Sequence, residues 1–245
     1  MRILGHRGAN SDAPENTLAA FQLALAQGAD GVELDARLCK SGEVVVFHDE
    51  RLDRLTGTAG RVADVDWSAL ARLEVRAGGA SGAPPGRISL LSEVLEALPR
   101  TAFINVELKA EDWAGTGVAE AAGALLEAGR HADHVVVSSF DPRCLLRLAL
   151  SHPRLKRGLL LDPDRPQLLQ RWVTLPLLGR DAVHPHATDF TQSDVARWHA
   201  GGREVAVWTV DEADLARRFR AWGVDSLITN RPGALREALR LGAGG

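Results

Sequence analysis

Short apolar runs alternate with longer amphipathic stretches along almost the whole chain, and this alternation limits the possible folds more than any other feature of the sequence. The runs are rich in Val, Ile and Leu, which is typical of strands buried on both faces. Strands that alternate with helices predict a parallel sheet covered by helices. The nine candidate strands lie at 2–6, 31–36, 44–48, 102–109, 134–139, 157–162, 181–186, 204–210 and 225–230.

The stretches between these runs have helical periodicity and carry the expected boundary residues. The first, "NTLAAFQLALAQG", has Asn16 or Thr17 as a possible cap and Gly28 as its stop signal. About eight strand–helix units predict a closed α/β barrel of the TIM type, (β/α)8, rather than an open doubly wound sheet. A length of 245 residues suits one such barrel, so we expect a single domain over 1–245.

The regular alternation is interrupted twice. No helix fits between the second and third candidate strands, and residues from about 51 to 88 form an irregular insertion with glycine-rich turns. A simple hairpin at "RLCKSGE" would direct the strand at 44–48 antiparallel to its neighbour and carry His48 to the wrong end of the barrel. Because these seven residues are long enough to run back outside the barrel, we expect the third strand to be parallel.

Composition excludes several classes of partner. The chain is 45% hydrophobic and 25% charged, and its formal net charge of -3 does not favour nucleic acid as a partner. No apolar run is long enough for a signal peptide or a membrane span, so we expect a cytoplasmic protein without stable membrane association. Cys39 and Cys144 lack metal-ligand spacing and are predicted to be free thiols. Both a monomer and a homodimer remain open.

Charged and histidine side chains stand where four of the candidate strands end. Side chains at the carboxyl ends of parallel barrel strands converge on one mouth. Where two charged residues share a strand they are spaced two apart and therefore point to the same face. For any single residue the alternative is a buried ion-pair network that only stabilises the barrel. The set as a whole favours a shared site, and its members are His6, Arg7, Glu33, Asp35, His48, Glu107 and Lys109.

Three of these residues, Glu33, Asp35 and Glu107, are carboxylates, which cannot all ionise in a partly dry mouth without a counter-charge. A divalent cation would supply that charge, and ligation by oxygen alone favours Mg²⁺ or Ca²⁺ over zinc. Once the cation, Arg7 and Lys109 are included, the mouth carries one net positive charge. Such a site suits an anion with a single negative charge.

A phosphodiester is an anion of this kind, and the fork of the Arg7 guanidinium matches its oxygens. Cleaving it requires one group that activates the nucleophile and another that protonates the leaving alkoxide. Histidine is the side chain best suited to both transfers near neutral pH. We therefore expect His6 and His48 to share this work.

Five segments carry a family resemblance. They are "GHRGANSDAPENT", "GADGVELDARLCKSGEVVVFHDERLDRLTG", "NVELK", "VWTVD" and "GVDSLITNRP", and together they span the chain nearly end to end. In order and spacing they resemble the glycerophosphodiester phosphodiesterases, which are relatives of the phosphatidylinositol phospholipases C. The resemblance implies a TIM-type barrel with Glu33, Asp35 and Glu107 as metal ligands, His6 and His48 as the acid/base pair, and Arg7 and Lys109 on the phosphate.

The resemblance also implies roles for residues outside this set. Glu15, in the "PENT" segment, is expected to orient Arg7 or support the metal shell, and Trp208 and Phe140 are expected to line the glycerol pocket. Asp211 replaces the Asn that is frequent in the family, and we interpret it as variation at a helix cap. The implied substrate is a small-molecule glycerophosphodiester, hydrolysed to sn-glycerol 3-phosphate and an alcohol such as choline or ethanolamine. Attack by water and initial attack by the glycerol 2-hydroxyl both remain open.

Other classes are less compatible with the pattern. A related phosphodiesterase of the phospholipase C or D type and a non-catalytic barrel that binds a phosphorylated ligand remain alternatives. A metallohydrolase of the amidohydrolase type would use the "HPH" of 184–186, but that class carries such a motif on its first strand. We expect the remaining histidines, at 131, 134, 152 and 199, to be solvated.

Overall fold

Eight parallel strands form a closed barrel in the computed structural model, which describes residues 1–76, 82–110, 117–164 and 175–241. The barrel consists of β1, β2 and β7 to β12, and β12 pairs with β1 to close it. The predicted (β/α)8 fold is therefore confirmed. In chain order, β1 to β12 are Arg2–His6, Gly31–Leu38, Val44–Val46, Glu74–Val75, Gly86–Arg87, Ser89–Leu90, Phe103–Leu108, Val135–Ser139, Lys156–Leu160, Ala182–His184, Glu204–Val207 and Ser226–Thr229.

Helices follow the barrel strands and cover the outer face of the sheet. The first begins where Thr17 Oγ1 accepts a hydrogen bond from the Ala20 N–H, and it ends just before Gly28, whose φ is +89°. The α-helices of the described residues are Leu18–Ala26, Asp53–Thr56, Trp67–Leu70, Leu91–Ala97, Val118–Ala128, Pro142–Ser151, Leu175–Leu178, Gln192–Ala200, Ala213–Ala221 and Pro232–Leu241. Short 3₁₀ turns lie at Val62–Asp64 and Ala132–His134.

Alternation along the strands separates the apolar core from the polar interior. On β2, Val32 and Leu34 belong to the apolar core cluster that includes helix residues, whereas Glu33 and Asp35 occupy the intervening positions and face the inside of the barrel. β7 repeats this pattern with Glu107 inside. The sequence spacing therefore placed the charged residues on the correct face.

The third candidate strand departs from the prediction of a parallel barrel strand. β3 pairs antiparallel with the last three residues of β2 and, on its other side, with β6. The reason is the length of β2, which continues to Leu38 beyond its pairing with β7 and turns at Gly42, where φ is +95°. The hairpin returns to the mouth, where the Phe47 N–H donates to the Asp35 carbonyl at 2.9 Å. An antiparallel strand thus brings His48 to the carboxyl end of the barrel, without the chain running back outside it.

The insertion of residues 51–88 has apolar side chains that join those of the β2–β3 hairpin in a separate small core. The cluster includes Val45 of β3 as well as residues of the insertion's short helices. The assignment of the whole chain to one domain stays a prediction. The buried members of the cluster are Cys39, Val45, Phe47, Leu52, Leu55, Val62, Leu70, Val75 and Ile88.

Three smaller expectations have mixed outcomes. Cys39 and Cys144 are both buried and free, as predicted. His131 is buried rather than solvated, because its Nε2 lies 3.0 Å from the Leu95 carbonyl under the adjacent helix. No helix in the described part of the chain is both long and apolar enough to cross a membrane, and the cytoplasmic location stays a prediction.

His184 is a buried titratable group inside the barrel. It is 2% exposed and its Nδ1 has no hydrogen-bond partner. Its ring occupies space left by Gly158, because a Cβ at that position would lie 2.7 Å from His184 Nε2. Burial lowers the pKa of His184 from 6.5 to about 4.

This burial predicts an acid-sensitive contribution to stability. The folded protein holds His184 neutral, whereas in the unfolded chain this histidine binds a proton below pH 6.5. The contribution of neutral His184 to the free energy of unfolding is therefore complete above pH 6.5 and is lost as the pH falls toward 4. For one such histidine the loss between pH 7 and pH 5 is about 2 kcal/mol. Denaturant unfolding at both pH values should show a smaller acid-induced drop in His184→Gln than in the wild type, whereas substitution of the exposed His134 should leave the drop unchanged. Equal drops in all three proteins would contradict the prediction.

Candidate functional site

Three buried carboxylates meet at the carboxyl end of the barrel. Glu33 and Asp35 come from β2 and Glu107 from β7, where Asp35 and Glu107 are register partners. They are 3%, 0% and 7% exposed. One oxygen of each lies within 4.8 Å of the others, a spacing compatible with ligation of one cation. The three residues predicted as metal ligands are thus brought together, and we call them the carboxylate trio.

Arg7 and Lys109 place two positive charges against this trio. Arg7 Nε lies 3.2 Å from Asp35 Oδ2, and the backbone N–H of Arg7 donates to Glu33 Oε2 at 3.0 Å. Lys109 Nζ lies 3.2 Å from Asp35 Oδ1 and 2.5 Å from Glu107 Oε1, although neither oxygen receives a hydrogen bond of good geometry. Both residues predicted to bind phosphate therefore contact the site.

Burial and mutual repulsion act unequally on the three carboxylates. Burial and the charges of Asp35 and Glu107 raise the pKa of Glu33 well above its usual range. Burial and the Asp35 charge also raise the pKa of Glu107, against the opposing effect of Lys109. Burial opposes ionisation of Asp35 too, but the neighbouring Lys109 and Arg7 hold its pKa well below the usual range. Full ionisation of the trio would therefore leave one negative charge that Arg7 and Lys109 do not balance.

The donor set of the trio fits a hard divalent cation. Asp35 Oδ1 and Glu107 Oε1 are buried and share the single ammonium group of Lys109 as their charged neighbour. All three candidate ligands offer oxygen, as Mg²⁺ and Ca²⁺ prefer. The raised pKa values of Glu33 and Glu107 indicate that the site lacks counter-charge. A bound cation would supply that charge.

The two predicted catalytic histidines reach the same cavity from different parts of the chain. His6 ends β1, and its Nδ1 lies 2.7 Å from Asn230 Oδ1. His48 follows the β2–β3 hairpin, and its Nδ1 lies 2.7 Å from Asp49 Oδ1. Burial, followed by the charge of Arg7, lowers the pKa of His6 to about 4, and burial lowers the pKa of His48 as well. Each ring is therefore held by Nδ1 in a chiefly neutral form.

Arg54 is a site residue that the sequence reasoning missed. From the insertion its guanidinium donates to both oxygens of Glu15, at 2.8 and 2.9 Å, and to both oxygens of Asp49, at 2.6 and 2.9 Å. Glu15 also accepts from Arg7 Nη1 at 2.9 Å, in agreement with the expectation that it orients Arg7. Arg54 thus joins the partner of Arg7 to the partner of His48. The available sequence signal for the role of Arg54 was its place within the segment "FHDERLDRLTG", but a lone arginine in a loop is usually solvated.

The loop after β1 adopts an uncommon backbone conformation to bring its side chains to the site. Arg7 and Asn16 have φ values of 54° and 58°, a left-handed region that non-glycine residues seldom occupy. The Asn16 side chain donates to Asp35 Oδ2 at 2.7 Å and accepts from the Asp35 N–H at 3.2 Å. This amide, which was predicted only as a possible helix cap, therefore helps to hold the central carboxylate of the trio.

The site residues line a cavity of about 130 Å³. Phe140 and Trp208, expected at the glycerol pocket, both border it and pack edge to face with ring centroids 5.4 Å apart. A wider cleft of about 420 Å³ adjoins the cavity and shares Glu107, Lys109 and Phe140 with it. The cavity is lined by His6, Arg7, Glu33, His48, Asn105, Glu107, Lys109, Phe140, Leu160, Trp208 and Ile228.

One expectation from the sequence does not match the contacts. Asp211 is not the cap of the following helix, because Glu212 holds the N-cap position, and Asp211 instead accepts hydrogen bonds from Thr229 and Asn230. His184 and His186 join no cluster of potential metal ligands in the described ranges. His186 instead packs against Trp208, with ring centroids 4.9 Å apart.

Sequence comparison relates the chain to enzymes over nearly its full length. The model of the glycerophosphoryl diester phosphodiesterase family matches residues 6–234. A glycerophosphodiester phosphodiesterase of Caldanaerobacter subterraneus is 32% identical over 241 residues and covers 98% of both chains. A protein of the same name from Bacillus altitudinis is 33% identical and covers 94% of this chain and 95% of its own.

Solved structures agree with these relatives. A phosphodiesterase of Oleispira antarctica, determined in complex with its product sn-glycerol-3-phosphate, superposes with a TM-score of 0.88 at 26% identity and covers 98% of this chain and 97% of its own. A glycerophosphodiester phosphodiesterase of Thermotoga maritima has a TM-score of 0.77 at 30% identity and covers 97% of both chains. The likeness extends over the barrel and its insertion.

We predict that the carboxylate trio binds one Mg²⁺ or Ca²⁺ ion. Isothermal titration calorimetry should give one site per chain, and Asp35→Asn should weaken binding by roughly tenfold or more, the loss that even outer-shell changes cause at metal sites. A cation at about 100 times its dissociation constant should stabilise the wild type by about 2.7 kcal/mol. Asp214→Asn, which removes a carboxylate that is 96% exposed, serves as the control. Unchanged affinity in Asp35→Asn would contradict the assignment.

Proposed function

The chain belongs to the glycerophosphoryl diester phosphodiesterase family and is an enzyme of that class. On this premise we propose that it uses a bound divalent cation and a pair of histidines to release sn-glycerol 3-phosphate from its substrate. The observation that carries the proposal is the convergence of Glu33 and Glu107 of the carboxylate trio, two cations and two histidines on one cavity, with the third carboxylate, Asp35, within 4.8 Å of the other two. A non-catalytic phosphate-binding barrel would need the cations but would have no use for His6 and His48 as well.

Glu33, Asp35 and Glu107 would hold the cation. When bound, it would supply a Lewis acid that polarises a phosphoryl oxygen and offsets the negative charge developing on it. Arg7 and Lys109 would bind the remaining phosphoryl oxygens of the substrate. The Arg7 guanidinium is already oriented by Glu15 and by the ion pair with Asp35, so little side-chain freedom is lost when substrate binds.

His6 and His48 would transfer the protons. Each ring keeps Nδ1 on a polar partner, at Asn230 and Asp49 respectively, and both border the cavity. One ring accepts the proton of the nucleophilic hydroxyl, and the other donates a proton to the departing alkoxide. The lowered pKa values favour the neutral ring that the base requires. The ring that acts as acid must instead enter the step as the imidazolium, with its second proton on Nε2, and becomes neutral when it gives that proton to the alkoxide. Detection of a cyclic phosphate by phosphorus NMR would distinguish attack by the glycerol 2-hydroxyl from attack by water.

Phe140 and Trp208 would provide the apolar wall against which the glycerol carbons pack. The Trp208 indole is oriented because its Nε1–H donates to the His184 carbonyl at 2.9 Å. The leaving alcohol would extend into the wider cleft next to Lys109 and Phe140. The sn-glycerol-3-phosphate bound to the Oleispira antarctica phosphodiesterase supports a small-molecule glycerophosphodiester as substrate.

The proton-transfer assignment predicts a large loss of turnover in His6→Ala and in His48→Ala. Each variant should lower kcat by about 10²–10⁴-fold, the usual contribution of a general acid or base. Calorimetric cation affinity should stay close to that of the wild type, because neither histidine belongs to the trio. The exposed His134 offers the control His134→Ala. Near-normal activity in either catalytic variant would refute the assignment.

The metal assignment predicts chelator-sensitive activity. Release of glycerol 3-phosphate from glycerophosphocholine should stop in EDTA and return when Mg²⁺ or Ca²⁺ is added in excess, because uncompensated carboxylates would repel the phosphodiester. Release that resists EDTA would refute the metal requirement. No release from any glycerophosphodiester under either condition would favour the non-catalytic barrel.

The position of Arg54 predicts that the insertion supports catalysis. Arg54→Ala should lower kcat/KM about tenfold, since charge-assisted hydrogen bonds to Glu15 and Asp49 are lost and Arg7 and His48 become less ordered. Arg51→Ala is the matched control, because Arg51 lies on the same insertion and its side chain pairs with the exposed Asp53. Equal kcat/KM in the two variants would show that the hydrogen bonds of Arg54 to Glu15 and Asp49 do not support catalysis.

A further inference from the structure

The Nδ1 atom of His6 is held by two loops that follow neighbouring barrel strands. Asn230 comes directly after β12, and its Oδ1 lies 2.7 Å from His6 Nδ1. Asp211 follows β11, and its Oδ2 accepts a hydrogen bond from Asn230 Nδ2 at 2.6 Å. The contact of His6 with Asn230 joins residues 224 positions apart in the chain and depends on the closure of β12 against β1.

The orientation of the Asn230 amide follows from its partners. An ionised carboxylate only accepts hydrogen bonds, so the NH₂ group of Asn230 must face Asp211 and its carbonyl oxygen must face His6. Asn10 Nδ2 donates to the same carbonyl oxygen at 2.8 Å, which favours the same orientation. Asp211 is itself held by its Oδ1, which accepts from the Asn230 N–H at 2.8 Å and the Thr229 hydroxyl at 2.9 Å.

We propose that Asp211 and Asn230 are positioning residues that set the tautomer of His6. Because Asn230 Oδ1 can only accept, the neutral His6 ring must carry its proton on Nδ1, and its Nε2 lone pair is left for the cavity, where Nε2 lies 4.0 Å from Glu33 Oε2. The reversed amide would present NH₂ to Nδ1 and would stabilise the other tautomer, whose Nε2 cannot accept a proton. The inference rests on the proposed role of His6 in proton transfer.

His48 is held differently. Its Nδ1 partner, Asp49, is the adjacent residue and belongs to the ion-pair network of Arg54. His6 instead depends on an amide, which has two orientations of nearly equal shape and therefore needs a second group to select one. Asp211 is that group, which accounts for a carboxylate at a position that caps no helix.

Exchange of the two side chains tests this arrangement. In Asn230→Asp two carboxylates would face each other, and in Asp211→Asn the amide at 230 would no longer be held in one orientation. We expect kcat to fall at least tenfold in Asn230→Asp and several-fold in Asp211→Asn, with KM changed less than twofold in both. The double variant Asp211→Asn/Asn230→Asp restores the hydrogen bond between the two side chains with donor and acceptor reversed, and the carboxylate at 230 accepts from His6. Its kcat should return to within threefold of the wild type.

Two further measurements separate positioning from a general structural role. Nitrogen-15 NMR of the histidine rings should show His6 as the Nδ1–H tautomer in the wild type and the double variant, and a shift toward the Nε2–H tautomer in Asp211→Asn. Asn10→Ala should cost no more than threefold in kcat, because Asp211 still orients the amide. Circular dichroism and the thermal midpoint identify any variant that fails to fold, and the tautomer of the wild type tests the proposal without a variant.

The outcomes distinguish this inference from the proposed function. If His6→Ala loses turnover but Asp211→Asn retains both wild-type kcat and the Nδ1–H tautomer of His6, the function stands and the positioning role is wrong. An Nε2–H tautomer of His6 in the wild type, or a double variant no more active than Asp211→Asn, would also overturn it. If His6→Ala itself keeps near-normal turnover, the proposed function fails, and the NMR result still reports whether Asp211 and Asn230 set the tautomer.

Discussion

Electrostatic balance within the carboxylate trio is the constraint on which the rest of this structure depends. Three carboxylates less than 10% exposed would be strongly destabilising if left without counter-charge. Arg7 and Lys109 supply part of that charge, and the spacing of the three carboxylates is compatible with a metal ion that would supply more. The barrel interior is therefore polarised at one end, and the surrounding loops have conformations that satisfy these charges.

The loop after β1 and the β2–β3 hairpin are the two segments that complete the site. The first places Arg7 and Asn16 in left-handed conformations so that both side chains contact Asp35. The second extends β2 beyond the barrel and returns the chain to the mouth, which delivers His48. Arg54 connects the two through Glu15 and Asp49. The insertion thus contributes Arg54, which joins Glu15 to Asp49, as well as apolar side chains of the separate small core.

Much of this arrangement could be predicted from local pattern. Spacing of two residues along strands placed Glu33, Asp35, Glu107 and Lys109 on one face, and the rule that strand ends converge placed them together. The direction of β3 could not be predicted in the same way, because it depends on how far β2 extends past its neighbours. The partners of His6 were also out of reach, since Asn230 and Asp211 meet it only when the barrel closes. Burial of His131 likewise depends on a helix contact that periodicity does not reveal.

The sequence by itself determined the alternation of strands and helices, the inward face of each charged pair and the residue types of the site, because these follow from backbone periodicity and side-chain chemistry. Only the tertiary structure decided which groups share hydrogen bonds across distant loops, which carboxylate oxygens share the Lys109 ammonium group and which way the hairpin runs. Those features depend on distances of a few ångströms between segments far apart in the chain, and such distances are set by barrel closure and packing rather than by local sequence.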